Sequence, residues 1–187
     1  NSYAKIRVMT FNTTCSVCNK GKWDKYKYRK KWIVDTIKRA DPDLISMQEV
    51  LLPHQLRWFK KKLKKYKLTY YRRFFIFRYA DPGLFVRADR FDILTVGGYW
   101  NGPRGGRFSF GWKIGNPRRL QYNRLYDKKE KREFYFIGTH FDNSSKNKEN
   151  SARMLTKRFG SRDLPKIFAA DTNLKPEMEG FKHLEDY

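Results

Sequence analysis

The chain has 187 residues, with 42 Lys and Arg against 19 Asp and Glu, a net charge of +23. That length suits one domain, and 40% hydrophobic with 17% aromatic residues argues against wholesale disorder. No apolar run approaches the roughly 20 residues of a membrane-spanning helix, and two Cys exclude a disulfide-stapled miniprotein.

In chain order, Ile6 to Asn12 reads as a buried strand. Tyr28, Trp32, Ile33, Ile37 and Ala40 recur at helical spacing, and Asp41-Pro42-Asp43 ends that helix. Leu44 to Gln48 is a short strand running into Glu49. Leu52, Leu56, Phe59, Leu63 and Tyr66 predict a second helix with a Lys-covered outer face. Strands follow over Thr69 to Tyr79, Gly83 to Val86, Phe91 to Trp100, Gln121 to Tyr126 and Glu133 to Thr139, with a Gly-rich loop at Gly102 to Gly106. Ala152, Leu155 and Phe159 mark a third helix, and Leu164 to Ala170 a last strand ending at Asp171. No internal repeat interrupts this pattern, which predicts an α/β protein with two packed sheets and helices outside.

The charge attracts polyanions, either nucleic acid or an anionic membrane surface. It is bunched in one run from Lys20 to Lys31 and another from Lys60 to Arg73, both threaded with aromatics such as Tyr66, Tyr70, Tyr71, Phe74 and Phe75. Basic side chains neutralise phosphates and aromatic faces stack on unpaired bases, although any single aromatic here also suits a core. Asn1 in place of Met points to a processed, exported chain. Cys15 and Cys18 suit a local disulfide in that setting. Zinc is not expected, because no second Cys or His pair lies at ligand spacing.

Polar residues gather at strand ends, where a rigid support suits chemistry. They are Asn12, then Gln48-Glu49, then Thr139-His140-Phe141-Asp142-Asn143, then Asp171-Thr172-Asn173. Singly each has a plain explanation: a turn for Asn12, a helix cap for Glu49, a structural imidazole for His140, an Asx turn for Asp171 and Asn173. Together they match metal-assisted hydrolysis of a phosphate ester. A carboxylate holds Mg²⁺, a second carboxylate or the imidazole moves protons, and amides hold phosphate oxygens.

The same residues resemble the endonuclease/exonuclease/phosphatase superfamily nearly end to end. IRVMTFN resembles its first strand. The stretch from Trp23 and Arg29 to DPDLISMQEV resembles its segment ending in the metal-binding Glu. LFVRADRFDIL, NPRRLQYNRLYD, FYFIGTHFDN and IFAADTNLKPE are similar to later family segments. Lys148 stands where the family often has Arg. The resemblance implies a four-layer α/β sandwich, two packed mixed sheets flanked by helices, in a single domain over residues 1–187. It also implies Mg²⁺, with Mn²⁺ or Ca²⁺ as substitutes, held at Glu49 with help from Asn12. In that reading Asp171 orients or deprotonates water, Asn173 and Asn12 hold phosphate oxygens, and His140 contacts the phosphate. Arg118 and Asn143 bind substrate.

Two departures stand out. The family ends in a strand carrying an Asp-His pair, whereas here HLEDY closes the sequence, so the domain is expected to be incomplete at its C-terminal side. Many family nucleases also place a Glu before the LFVR-type strand, where this chain has Tyr79-Ala80-Asp81-Pro82-Gly83. The expected activity is a metal-dependent DNA endonuclease of little sequence preference, with DNA favoured over RNA and no protein partner implied. The competing expectations are a sphingomyelinase-like lipid phosphodiesterase, using Phe74 to Phe77 at a membrane, and a catalytically dead polyanion-binding module.

Overall fold

The computed structural model describes residues 4–18, 21–69, 81–104 and 106–185. Strand β1 (Val8–Asn12) pairs in parallel with β2 (Leu44–Gln48), and helix α1 (Tyr26–Ala40) forms the crossover. Helix α2 (Pro53–Lys62) follows β2 and leads into β3 (Tyr66–Thr69). β3 and β4 (Gly83–Arg87) complete a four-stranded sheet of order β1-β2-β4-β3. The antiparallel strands β5 (Phe91–Trp100), β6 (Arg119–Asp127) and β7 (Arg132–His140) form the second sheet with β8 (Lys166–Asp171), which runs parallel to β7 after helix α3 (Ser145–Phe159). A short helix α4 (Glu179–Glu185) packs on α3.

Period-2 alternation explains the layering. On β2, Leu44 faces the second sheet and packs with Leu84, Val86, Phe91, Leu125, Phe134 and Phe136. Ile45 and Met47 point the other way, under Ile33, Val34 and Ile37 of α1 and Leu56 and Phe59 of α2. On the far side, Leu155 and Phe159 of α3 cover Leu120, Tyr135 and Ile137. The result is the expected four-layer sandwich of two mixed sheets flanked by helices.

Helix boundaries follow local chemistry. Asp41 closes α1 in the left-handed region at φ 43°, its N–H bonded to Ile37 O, and Pro42 follows. Pro53 opens α2 at the first turn, where no N–H is needed. The second helix ends before the expected Tyr66. Leu63 closes it, and Tyr66 is instead the first residue of β3, its hydroxyl donating to Pro42 O at 2.6 Å. The 4-3 spacing persists through Tyr66 because a buried strand start also needs an apolar residue there. The Thr69 to Tyr79 strand is described only to Thr69. Tyr70, Tyr71 and Arg72 to Phe77 lie outside the described residues. Helix α4 was not expected.

No helix among the described residues is long and apolar enough to cross a membrane.

Candidate active site

Both parallel strand pairs end at the same edge of the sandwich. Asn12 aligns with Gln48, and His140 with Asp171. The two sheets meet there through Asn12, whose amide Nδ2 donates to Glu49 Oε1 at 2.9 Å and to Asp171 Oδ2 at 2.8 Å. Asn12 thus spans the two carboxylates, and its Oδ1 accepts from Thr14 N at 2.9 Å. Beneath it, Gln48 is buried and donates to Thr10 Oγ1 and Ser46 Oγ, which holds the end of β2 in line.

Glu49 follows β2 at φ 64°, and Asn173 follows β8 at φ 52°. Positive φ is uncommon for a side chain of this size and clusters at functional sites. The turn lets the Glu49 carboxylate come back toward the loop after β1, where Oε2 accepts from Cys15 N at 2.6 Å. Arg29 holds that loop from α1. Its guanidinium donates to Thr13 O, to Thr14 O at 2.9 Å, to Cys15 O at 3.0 Å and to Asp24 O. Cys15 and Cys18 are disulfide-bonded.

His140 is 3% exposed and sits between two carboxylates. Its Nδ1 lies 3.2 Å from Asp81 Oδ2, and its Nε2 lies 3.7 Å from Asp171 Oδ2. Arg118 Nη1 is 3.0 Å from the same Nδ1 and 3.4 Å from Asp81 Oδ2. A guanidinium only donates and a carboxylate only accepts. A proton on Nδ1 is therefore shared with Asp81, and a bare Nδ1 accepts from Arg118, so His140 has a partner in both states. Asp81, 1% exposed, also accepts from Glu49 N at 3.0 Å.

The structure brings Asn12, Glu49, His140, Asp171, Asn173 and Arg118 into one cluster. Asn173 is held by its own bonds: its N–H donates to Asp171 Oδ1, and its Nδ2 donates to Phe141 O at 2.9 Å. That leaves one amide hydrogen for an anion. Lys148 Nζ donates to Asn173 O at 2.7 Å. Asn143 is exposed on the connection from β7 to α3 and makes none of these side-chain bonds among the described residues. Beside it, buried Asp142 accepts from Asn147 Nδ2, whose Oδ1 ties down the Trp112 and Lys113 N–H groups. Arg118, expected to bind substrate, is 8% exposed and joined to His140.

Sequence reasoning missed two members. Asp81 falls where the family pattern has a Glu and is a doubtful stand-in by sequence, yet its carboxylate lies beside His140. Arg29 stands in a basic run and in the segment from Trp23 that resembles the family, but the sequence assigns it no role at the site.

A hard divalent cation fits the donor set. Glu49 and Asp171 offer carboxylate oxygens, Asn12 offers an amide oxygen that here accepts from Thr14 N, and Glu49 accepts one hydrogen bond from these partners on each oxygen, which leaves lone pairs for a metal. The disulfide takes the two sulfur atoms out of that set.

No family model and no curated protein matches the sequence. Solved structures do match. An endonuclease/exonuclease/phosphatase family protein from Bacteroides thetaiotaomicron superposes with a TM-score of 0.87 at 23% identity, covering 97% of this chain and 68% of that one. A mannosyl-6-phosphatase of Bacteroides thetaiotaomicron gives 0.83 at 22% identity, over 97% and 70% of the two chains. D. rerio TDP2 complexed with a single-strand DNA product gives 0.70 at 18% identity, over 91% and 61%. The chain has the endonuclease/exonuclease/phosphatase fold.

Proposed function

We propose that this chain, with its endonuclease/exonuclease/phosphatase fold, is a metal-dependent phosphodiesterase that cleaves nucleic acid, DNA before RNA. The observation that carries the reading is the Asn12 amide bridging Glu49 and Asp171 while His140 Nε2 faces Asp171 at 3.7 Å. It joins a candidate metal carboxylate, a candidate base and an imidazole in one cluster.

Glu49 and Asn12 would hold Mg²⁺. A bound Mg²⁺ supplies charge for the phosphoryl oxygens and acidifies water. The chain's own residues do the rest. Asp171 orients an attacking water and accepts its proton. His140 donates from Nε2 to a phosphate oxygen and is kept in position by Asp81 and Arg118. Asn173 offers its remaining amide hydrogen to the same phosphate. General acid–base groups of this kind contribute roughly 10²–10⁴-fold.

Nucleic acid is favoured by the charge on α1, the segment leading into it, and α2. Among the described residues, Lys22, Lys25, Lys27, Lys30, Lys31, Lys60, Lys61 and Lys62 have no carboxylate within 4.0 Å. Several lie over aromatic rings instead: Lys22 over Trp23 at 5.2 Å, Lys27 over Tyr28 at 4.9 Å, and Lys30 over Trp58 at 4.8 Å. Unneutralised ammonium groups beside aromatic rings match a phosphate backbone and its bases.

The test is nicking of supercoiled plasmid by the chain, Glu49→Ala and His140→Ala, with Mg²⁺ and with EDTA. Metal-dependent nicking lost in both variants supports the reading. Plasmid that is retarded on the gel but stays intact refutes it and leaves a binding module. Release of inorganic phosphate from monoesters without nicking would redirect the substrate assignment.

A further inference from the structure

We propose that reduction of the Cys15–Cys18 disulfide uncovers a second kind of metal site, in which two thiolates and the Glu49 carboxylate bind a zinc-class ion. The Sγ atoms of Cys15 and Cys18 and a Glu49 carboxylate oxygen all lie within 4.8 Å of one another. It is the only group of three His, Cys, Asp or Glu ligand atoms this close among the described residues. Spacing along the chain gives only one Cys pair. The fold supplies the third ligand from the far end of β2.

Two sulfurs and one oxygen make a softer set than the all-oxygen one described above, and softer sets select zinc over magnesium. Three protein ligands with a water in the fourth position is a usual zinc arrangement. Contacts other than the sulfur–sulfur bond also hold the loop against Glu49. Cys15 N donates to Glu49 Oε2, Cys15 O accepts from Arg29, and Cys18 N donates to Cys15 O at 3.1 Å. Cys15 is buried and Cys18 is exposed, so a reductant reaches one sulfur and an ion has an open side to enter.

The chemistry balances. A dithiol reductant gives two electrons and two protons to the disulfide, which becomes two thiols while the dithiol leaves as its own disulfide. Binding of the ion then releases the two thiol protons. The site shares Glu49 with the proposed hydrolytic centre, so a zinc-class ion in the reduced protein withdraws that carboxylate from it. Exchange with an oxidised dithiol, which takes up the two electrons and leaves reduced, rejoins the sulfurs and expels the ion. The binding itself is independent of whether the chain hydrolyses anything.

The experiment uses the full chain, reduced with a dithiol that is then removed by desalting without oxygen, and titrated with Cd²⁺. The readout is thiolate-to-metal charge-transfer absorbance, with Zn²⁺ as competitor. The expected result is one Cd²⁺ per reduced chain, displaced by Zn²⁺, and no such band in the oxidised chain. Cys18→Ser and Glu49→Gln should each weaken binding by about tenfold or more. Three results would overturn the proposal: no thiolate band on reduction, an affinity unchanged by Glu49→Gln, or loss of the folded circular dichroism spectrum on reduction alone.

Discussion

The backbone N–H of Glu49 donates to Asp81 Oδ1 at 3.0 Å, while Asp81 Oδ2 faces His140 Nδ1 at 3.2 Å. One buried carboxylate therefore sets both the turn that aims the candidate metal ligand and the orientation of the imidazole. Asp81→Asn separates these roles. An amide oxygen can still accept from Glu49 N–H, but the negative charge beside Nδ1 is gone. We expect kcat to fall roughly 10²-fold, with KM little changed and the melting temperature lowered, because buried Arg118 also loses this carboxylate partner. An unchanged kcat would mean that His140 does not depend on its buried partner.

Arg29 acts on the site through backbone alone, by gathering the Thr13, Thr14 and Cys15 carbonyls. Cys15 N–H then points at Glu49 Oε2. Arg29→Lys keeps the charge but loses the planar fork of donors. The expected outcome is an increase of about tenfold in the Mg²⁺ concentration for half-maximal activity, with kcat at saturating metal near the parent value. A metal titration of activity measures it, and an unshifted curve would separate the loop from the ion.

Asn12, Glu49, His140, Asp171 and Asn173 were legible because each ends or follows a strand whose apolar pattern marks its direction. Parallel pairing of β1 with β2 and of β7 with β8 aligns those ends within each sheet, and the packing of the two sheets brings both sets to one edge. Asp81 was not legible as a partner. It lies 59 residues from His140, and no periodicity links the two. Arg29 was hidden by its basic neighbours, since one guanidinium among lysines carries no mark of turning inward. The fold was read more fully than the boundaries. Tyr66 fits a helix face by spacing, but the strand it opens is fixed by antiparallel pairing with Arg87, which only the tertiary structure supplies.

Gly138 tests how tightly the sheets press together below His140. A Cβ there would lie 2.5 Å from Leu84 Cδ2 and 2.6 Å from Ser46 Oγ, both on the opposite sheet. Neither neighbour can move far, because Leu84 is fully buried and Ser46 Oγ accepts from Gln48. Gly138→Ala should destabilise the chain by about 1–3 kcal/mol, read by chemical denaturation. It should also lower activity by displacing β7, and an undiminished stability would mean the sheets are less closely packed.

At the opposite end of the sandwich, Arg90 joins the N-terminal segment, Asp43 and Asp127 across both sheets. Its Nη2 lies 2.8 Å from Asp127 Oδ2 and its Nη1 3.0 Å from Asp43 Oδ2, with Arg90 4% and Asp127 1% exposed. Burial pushes the Asp127 carboxyl up, but hydrogen bonds from Arg90 and from the Lys129 and Glu130 backbone outweigh it and hold the value below 3.8. A carboxyl lowered in the folded state contributes its full stability above the unfolded pKa and loses it as pH falls through the folded one. Asp127→Asn should therefore cost about 3 kcal/mol at neutral pH, as expected for breaking a buried pair. The difference in melting temperature from the parent should hold down to about pH 5 and shrink steadily below about pH 4. Thermal melts of both proteins across that range check it. A gap that does not narrow in acid would show that Asp127 stabilises the fold through shape and hydrogen bonding rather than charge.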